Sequence, residues 1–303
     1  MKILSVQTID VAGVATGLYS FAKPSGEAHD RVLVSGGSGS GKTRLLQLIV
    51  ATRDLLATGQ RAEETLSFIR PENSTSKVIL SWELSAEEQS TIGAPSPVVS
   101  TEVIFCDGEE DPVDQRMSFL LERYAHDDDT PKFEYFSERR RLDVGGGEPS
   151  LAEVDQVDLR TDPSPRKFAW LPSFLARLPD EPAQAARFAS SLARFSASCA
   201  YDVEAHALSS WGRRLRSLTE LSASEADAVI FSATATLVGL SRSIVLVDRP
   251  DLHGLEATRA LAGLSALGTD NQLIRATSSP AFAATFDGAV VHLATPRASR
   301  ASE

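Results

Sequence analysis

The stretch Gly36-Gly37-Ser38-Gly39-Ser40-Gly41-Lys42-Thr43 decides the reading of this 303-residue chain, because it meets the pattern G-x-x-x-x-G-K-[ST] at every fixed position. Its surroundings are those the pattern needs. Arg31-Val32-Leu33-Val34 reads as a short buried strand entering the glycines, and residues 43–57 (TRLLQLIVATRDLLA) repeat apolar side chains at helical spacing up to Gly59. The glycines let successive N–H groups point inward, and the start of the helix adds the positive end of its dipole, so the segment can cradle a polyphosphate. Lys42 is then expected to reach the β and γ phosphates of a nucleoside triphosphate, and Thr43 to place its hydroxyl on Mg²⁺.

Working outward, residues 2–21 alternate apolar and polar side chains in short stretches, as two strands joined by a Gly-containing turn would. Further strands are expected at 78–84, 98–106 and 133–136, an antiparallel patch. Residues 145–166 are rich in Gly, Pro, Asp and Ser and read as a loop or partly disordered connection. Residues 168–220, with Phe174, Leu175, Leu178, Phe188, Leu192 and Phe195 among many alanines, read as helical. Helices at 224–240 and 255–267 then alternate with strands at 244–247, 272–274 and 289–292, which argues for a parallel sheet covered by helices. The expected organisation is a first core segment over 1–144, the connection over 145–166, a helical lobe over 167–223, a second core segment over 224–294 and a tail over 295–303.

Composition narrows the function. With 42 % hydrophobic and 23 % charged residues the chain is that of a globular protein, and no apolar run approaches the ~20 residues of a membrane-spanning helix. The start, Met1-Lys2-Ile3-Leu4, lacks the regions of a secretion signal, so a cytoplasmic location without membrane insertion is expected. Cys106 and Cys199 are too few for a disulfide framework and lack zinc-site spacing. A formal charge of −11 does not favour a general nucleic-acid binder, since nonspecific affinity comes mainly from cations that neutralise phosphates. Local basic runs exist at Ser137-Glu-Arg-Arg-Arg141, beside Phe133, Tyr135 and Phe136, where an exposed strand end stands beside single-stranded nucleic-acid contact, and at Trp211-Gly-Arg-Arg-Leu-Arg216, where a solvated helix face stands beside contact with phosphate or an acidic partner.

A phosphate-loop protein also needs a second strand ending in Asp to hold the magnesium, and Ile244-Val-Leu-Val247-Asp248 supplies one. The order of phosphate loop, antiparallel strands, helical lobe, Leu221-Ser222-Ala223-Ser224-Glu225, Val247-Asp-Arg-Pro-Asp-Leu-His253 and Gln272-Leu-Ile-Arg-Ala-Thr-Ser-Ser-Pro280 resembles the ABC-type ATPase heads. The likeness runs from about residue 2 to 293 and is greatest to the non-transporter branch with RecF, SMC and OLD-type proteins. It implies an α/β P-loop NTPase fold with a mixed sheet, an antiparallel patch and a helical lobe, and ATP with Mg²⁺ as cofactors. It also implies heads that pair around two ATP molecules, each held between one chain's phosphate loop and the other's signature. Leu221, Ser222, Ser224 and Glu225 are then signature-like; on local sequence Ser222-x-x-Glu225 is equally a capping box at a helix start.

Three positions depart from the resembled pattern. Ser224 stands where the signature has glycine, Arg249 where the magnesium strand is followed by a catalytic glutamate, and Ser278 where a later strand is followed by a histidine. An arginine has no acceptor and cannot activate water, and losing a positioned base typically removes a factor of ~10² to 10⁴ in rate. Asp251 is the remaining carboxylate that could act as a base. His206, His253 and His292 lack ligand spacing, no glutamine is assignable to a γ-phosphate-sensing loop, and Tyr19 and Phe21 are candidates for stacking on the base. The expected function is an ATP- and Mg-binding subunit with weak or no hydrolysis of its own, using nucleotide as a structural or switching ligand beside a second ATPase-like or effector chain. The alternatives are an active ATPase of the same type in DNA maintenance or phage defence, and a kinase-like phosphotransferase.

Overall fold

A computed structural model describes residues 1–58, 63–73, 75–106, 114–126, 131–142, 160–253 and 257–294. The tail expected over 295–303 and most of the connection expected over 145–166 lie outside the described residues. In chain order the first half holds β1 (Lys2–Ile9), β2 (Gly17–Ser20), β3 (Arg31–Ser35), α1 (Lys42–Thr58), β4 (Thr75–Glu83), α2 (Ala86–Ile92), β5 (Val98–Cys106), α3 (Gln115–His126) and β6 (Phe133–Phe136). Then follow α4 (Leu171–Arg177), α5 (Pro182–Phe195), β7 (Cys199–Asp202), β8 (Ala207–Ser210), β9 (Arg213–Arg214) and α6 (Ala223–Val238). The chain closes with β10 (Ile244–Asp248), α7 (Ala257–Ser265), β11 (Gln272–Thr277), α8 (Pro280–Ala284) and β12 (Ala289–His292). The architecture is α/β, with both antiparallel and parallel sheets. Among the described residues no helix is long and apolar enough to cross a membrane.

The chain divides into two compact units. The first comprises Met1–Tyr124, Ile274–Ser278 and Asp287–Glu303. Its antiparallel sheet has the order β2-β1-β4-β5. Period-two alternation sets which face is buried: Ser76, Val78, Leu80 and Trp82 of β4 turn inward beside Thr101, Val103 and Phe105 of β5. The one polar atom on the Trp82 ring is satisfied there, its Nε1–H donating to Thr101 Oγ1 at 2.8 Å. Helix α1 packs toward β5 and buries Leu45, Leu46, Leu48, Ile49, Leu55 and Leu56. Strand β12 pairs in parallel with β3, Ala289 opposite Val32 through His292 opposite Ser35. Short α2 is fixed at both ends, by a capping box between Ser85 and Glu88 and by left-handed Gly93.

The second unit comprises Ala125–Leu273 and Ser279–Phe286. Strand β6, expected in the antiparallel patch, instead pairs in parallel with β10, and every residue of both is buried, as parallel strands covered on two faces require; an all-apolar run without alternation, as at 244–247, marks such a strand. An aromatic cluster fills the helical part. Phe231 of α6 meets Phe136 edge-on at 4.8 Å and stacks on Phe195 of α5 at 5.3 Å, while Phe188 touches Phe174 at 5.6 Å and Tyr201 at 5.4 Å. Gly263 lets α7 approach α5, since a Cβ there would sit 2.5 Å from the Phe195 ring.

The helical reading of 168–220 is corrected over its later part. Helices α4 and α5 end at Phe195, and β7, β8 and β9 then form a three-stranded antiparallel sheet. Tyr201 and Leu208 turn inward from strands of only four residues, so the period-two signal is two positions long and is easily lost among alanines and serines. Trp211–Arg216 is therefore a hairpin tip and strand rather than a helix face. Helices α2 and α3 add to the expected elements; Met117, Leu120 and Leu121 of α3 are buried at helical spacing.

Candidate functional site

In the first unit the backbone of residues 36–41 is built for glycine. Gly36 has φ +154°, and a Cβ on it would meet Leu293 O and Ser40 Oγ, each at 2.6 Å. Gly41 has φ +90°, and a Cβ there would sit 2.3 Å from Gly13 O, so the loop between β1 and β2 lies directly on the phosphate loop. Lys42 folds back over its own loop: its Nζ donates to Gly36 O at 2.9 Å, Gly37 O at 2.6 Å and Ser40 Oγ at 3.3 Å. The ammonium thus rests inside the turn of the loop. Helix α1 begins there, Leu45 N–H donating to Gly41 O at 2.8 Å, and no acidic residue stands in its first turn to compete for an anion. Thr43 is half-buried beside Lys42. Left-handed glycines at 36, 39 and 41, a central cation and an unopposed helix N-terminus fit a polyphosphate.

Arg44, which the sequence reading did not single out, braces this loop. Its Nε donates to Ala12 O at 3.2 Å, its NH2 group donates to Ser67 Oγ at 2.9 Å and to Ser67 O, and its guanidinium lies 4.0 Å from the centre of the Phe68 ring. Nearby, Tyr19 is partly buried with its hydroxyl donating to Ala15 O at 2.7 Å, while Phe21 is fully buried and presents no face to a base. His292 Nδ1 lies 2.7 Å from Ser35 Oγ at the end of β3. Ser278 is exposed just past β11.

In the second unit β10 delivers Asp248 to its C-terminal end, where the residue is fully buried. The turn that follows is held by a residue from another part of the chain. Arg140 donates through Nε and NH2 to the two carboxylate oxygens of Asp227 at 2.9 and 3.1 Å, through NH1 to Asp248 O at 2.7 Å and through NH2 to Arg249 O at 2.7 Å. His253 Nδ1 completes the group at 2.9 Å from the Asp227 carboxylate. Arg249 itself has φ +48°, a left-handed backbone that its gripped carbonyl helps to fix. Asp251 lies half-buried in the same turn. Burial foremost, and then the Asp248 and Glu138 carboxylates, push the Tyr135 phenol well above its usual pKa.

Arg140 is also a correction. The basic run 137–141 is not a uniform cationic surface, because Arg140 is 1 % exposed and fully engaged, leaving only Arg139 and Arg141 outside.

The segment Leu221–Glu225 starts α6, and its capping-box reading is realised: Ser222 N–H donates to Glu225 Oε2 at 3.0 Å and Glu225 N–H to Ser222 Oγ at 3.4 Å. The other Glu225 oxygen accepts from Ser198 Oγ at 2.8 Å and Ser210 Oγ at 2.6 Å, so one carboxylate ties the β7–β8 sheet to the head of the helix. Burial alone would raise the Glu225 pKa; hydrogen bonds from Ser210, Ser222 and Ser198 outweigh it and hold the group below its usual value. Ser224 is half-exposed on the first turn. His206 sits exposed in the turn between β7 and β8.

No family model matches the sequence, and no curated protein matches it. Among solved structures the chain is similar to the SMC head domain from Thermotoga maritima, at 14 % identity and TM-score 0.49 over 95 % of this chain and 93 % of that one. It is also similar to the recombination mediator protein RecF in complex with ATPrS, at 10 % identity and TM-score 0.49 over 97 % and 96 %. A bacterial Atm1-family ABC exporter with ATP bound matches at 13 % identity and TM-score 0.45, over 97 % of this chain and 38 % of that one.

Proposed function

We propose that this chain is an ABC-type, Mg·ATP-binding subunit that uses the nucleotide as a structural or switching ligand and hydrolyses it slowly or not at all, in partnership with a second ATPase-like or effector chain. The observation that carries the reading is the phosphate loop: a turn that needs glycine at positions 36, 39 and 41, with the Lys42 ammonium at its centre and the N-terminus of α1 behind it. Lys42 would bind the β and γ phosphates, with backbone N–H groups of Gly37, Ser38, Gly39, Ser40 and Gly41 around them. Bound magnesium would neutralise phosphate charge; Thr43 is assigned to hold it directly and Asp248 to orient its water shell. Arg249 offers donors only where a water-activating carboxylate is needed, and Ser278, short and uncharged, has neither the reach nor the charge of an imidazole at the γ-phosphate, which is why turnover is slow in this reading. Ser224, in place of a glycine, narrows the approach of a second chain's nucleotide to the head of α6.

Lys42→Ala should weaken ATP affinity ten-fold or more, roughly 1.4 kcal/mol, in calorimetry with Mg²⁺ present. Unchanged affinity removes the assignment. Asp248→Asn should reduce the difference between affinities measured with and without Mg²⁺; an equal loss in both conditions would mean that Asp248 does not serve the metal. Steady-state phosphate release by the wild-type chain should fall below the ~1 s⁻¹ floor of typical enzymes. Brisk release that Asp251→Asn abolishes would instead establish an active ATPase with Asp251 as its base.

A further inference from the structure

The tip of the β8–β9 hairpin carries features that nucleotide binding does not use. Ser210 pairs with Arg213, so Trp211 and Gly212 form a two-residue connection, with φ +51° and +75°. Positive φ at both positions is the geometry that Asn-Gly adopts with least strain, and a bulky tryptophan at the first position is an outlier with no packing reason, since its side chain is in solvent and the residue is 85 % exposed. The other two tryptophans, Trp82 and Trp170, are buried. The backbone beneath Trp211 is nevertheless firmly placed: its N–H donates to Ser198 O at 2.8 Å, and the neighbouring Ser210 hydroxyl donates to buried Glu225 at 2.6 Å. A rigid mount thus holds one flat aromatic face outward.

Around it stand Arg213, Arg214 and Arg216, all exposed. Arg213 pairs with Glu220 at 2.8 Å, and the same glutamate accepts from the Arg216 backbone N–H, so one carboxylate serves the base of the patch. The exposed acids of this small sheet, Asp202 and Glu204, lie at its far end, where Asp202 pairs with Ala207. Positive charge is therefore concentrated at the tip of a chain whose net charge is −11.

We propose that this tip binds unpaired nucleic acid, Trp211 stacking on a base while Arg214 and Arg216 meet the flanking phosphates. A single aromatic ring among Ser209, Ser210, Gly212 and Arg213 offers too little apolar surface for the desolvated centre of a protein interface or for insertion into a bilayer. It does offer the π face and cations that a base between two phosphates fits. The acidic remainder of the chain keeps the footprint short, at two to three phosphates, so the slope of log affinity against log salt is about −1.4 to −2.1.

The test is fluorescence anisotropy at low salt with a labelled single-stranded oligonucleotide of about 20 nucleotides and no ATP present, which keeps its outcome independent of the phosphate loop. Trp211→Asn is the decisive variant, because asparagine relieves the left-handed turn while removing the stacking face. It should melt no lower than wild type yet bind at least about five-fold more weakly, whereas Trp211→Phe keeps most of the affinity. The double variant Arg214→Ala, Arg216→Ala should weaken binding and flatten the salt slope by about 1.4. Failure of wild type to bind overturns the proposal, as does wild-type affinity in Trp211→Asn. So does equal affinity for a blunt duplex, or equal displacement by polyglutamate of matched charge, which would show a site that reads charge alone.

Discussion

Arg140→Met should destabilise the chain by about 3–5 kcal/mol in urea unfolding, the range for removing one member of a buried ion pair. Arg140 and Asp227 are each 1 % exposed, so without the guanidinium the Asp227 carboxylate keeps only the His253 imidazole as a side-chain partner in a setting where water cannot compensate. Two backbone carbonyls, those of Asp248 and Arg249, also lose the Arg140 hydrogen bonds in the same step. Methionine fills much of the vacated volume, which isolates the electrostatic part of the cost. Adding Asp227→Leu should return a substantial share of the loss, because replacing both partners of a buried pair by apolar groups is often neutral. A single-variant cost below about 1 kcal/mol, or a double variant worse than the sum of the singles, contradicts this account.

Lys167→Met should have a comparable effect in the same unit, again about 3–5 kcal/mol at neutral pH. Lys167 Nζ pairs with Glu134, which is fully buried on β6, and also donates to Tyr135 O at 2.5 Å and to Arg160 O. Burial pushes the Lys167 pKa down and the Glu134 pKa up, while each partner's charge opposes the shift in the other. Removing the lysine leaves Glu134 with burial as the dominant influence, so its folded-state pKa climbs further above the unfolded value. A group shifted upward stabilises the fold below its unfolded pKa and loses that contribution as pH rises through the folded value. The deficit of Lys167→Met relative to wild type should therefore shrink as pH is lowered toward about 4.5, and Glu134→Gln in the same background should remove most of that pH dependence. A deficit constant across this range would place the cost in lost packing instead.

What could be seen in the sequence was what is local in the chain. The phosphate loop is eight consecutive residues whose function lies in their backbone, and it sits where Val32–Val34 and the apolar spacing of 43–57 put it. The capping box at Ser222 and Glu225 was legible for the same reason, as a contact across three residues. Arg140 was not, because apart from Ser137 O its partners stand 87, 108 and 109 residues away; in one dimension it is simply the middle of a basic run. The β7–β9 sheet is hidden in the sequence because four-residue strands give a period-two pattern almost no length in which to show. Helix α3 was missed although Met117, Leu120 and Leu121 have the right spacing, which shows how little a single turn of apolar residues says beside a polar stretch.

The two carboxylates of α6 have a geometric consequence. Glu225 reaches the β7–β8 sheet and Asp227 reaches Arg140, and two residues along an α-helix correspond to a rotation of ~200°, so the helix is pinned on nearly opposite sides within its first two turns. A one-residue insertion or deletion between the two would swing one of them by ~100° about the axis and detach it, whatever residue was added or removed. Substitution and length are thus constrained very differently here. Ala226, the one residue between them, is not part of either attachment and can change in kind, while its place in the count is fixed like the teeth on a key that must fit two locks at once.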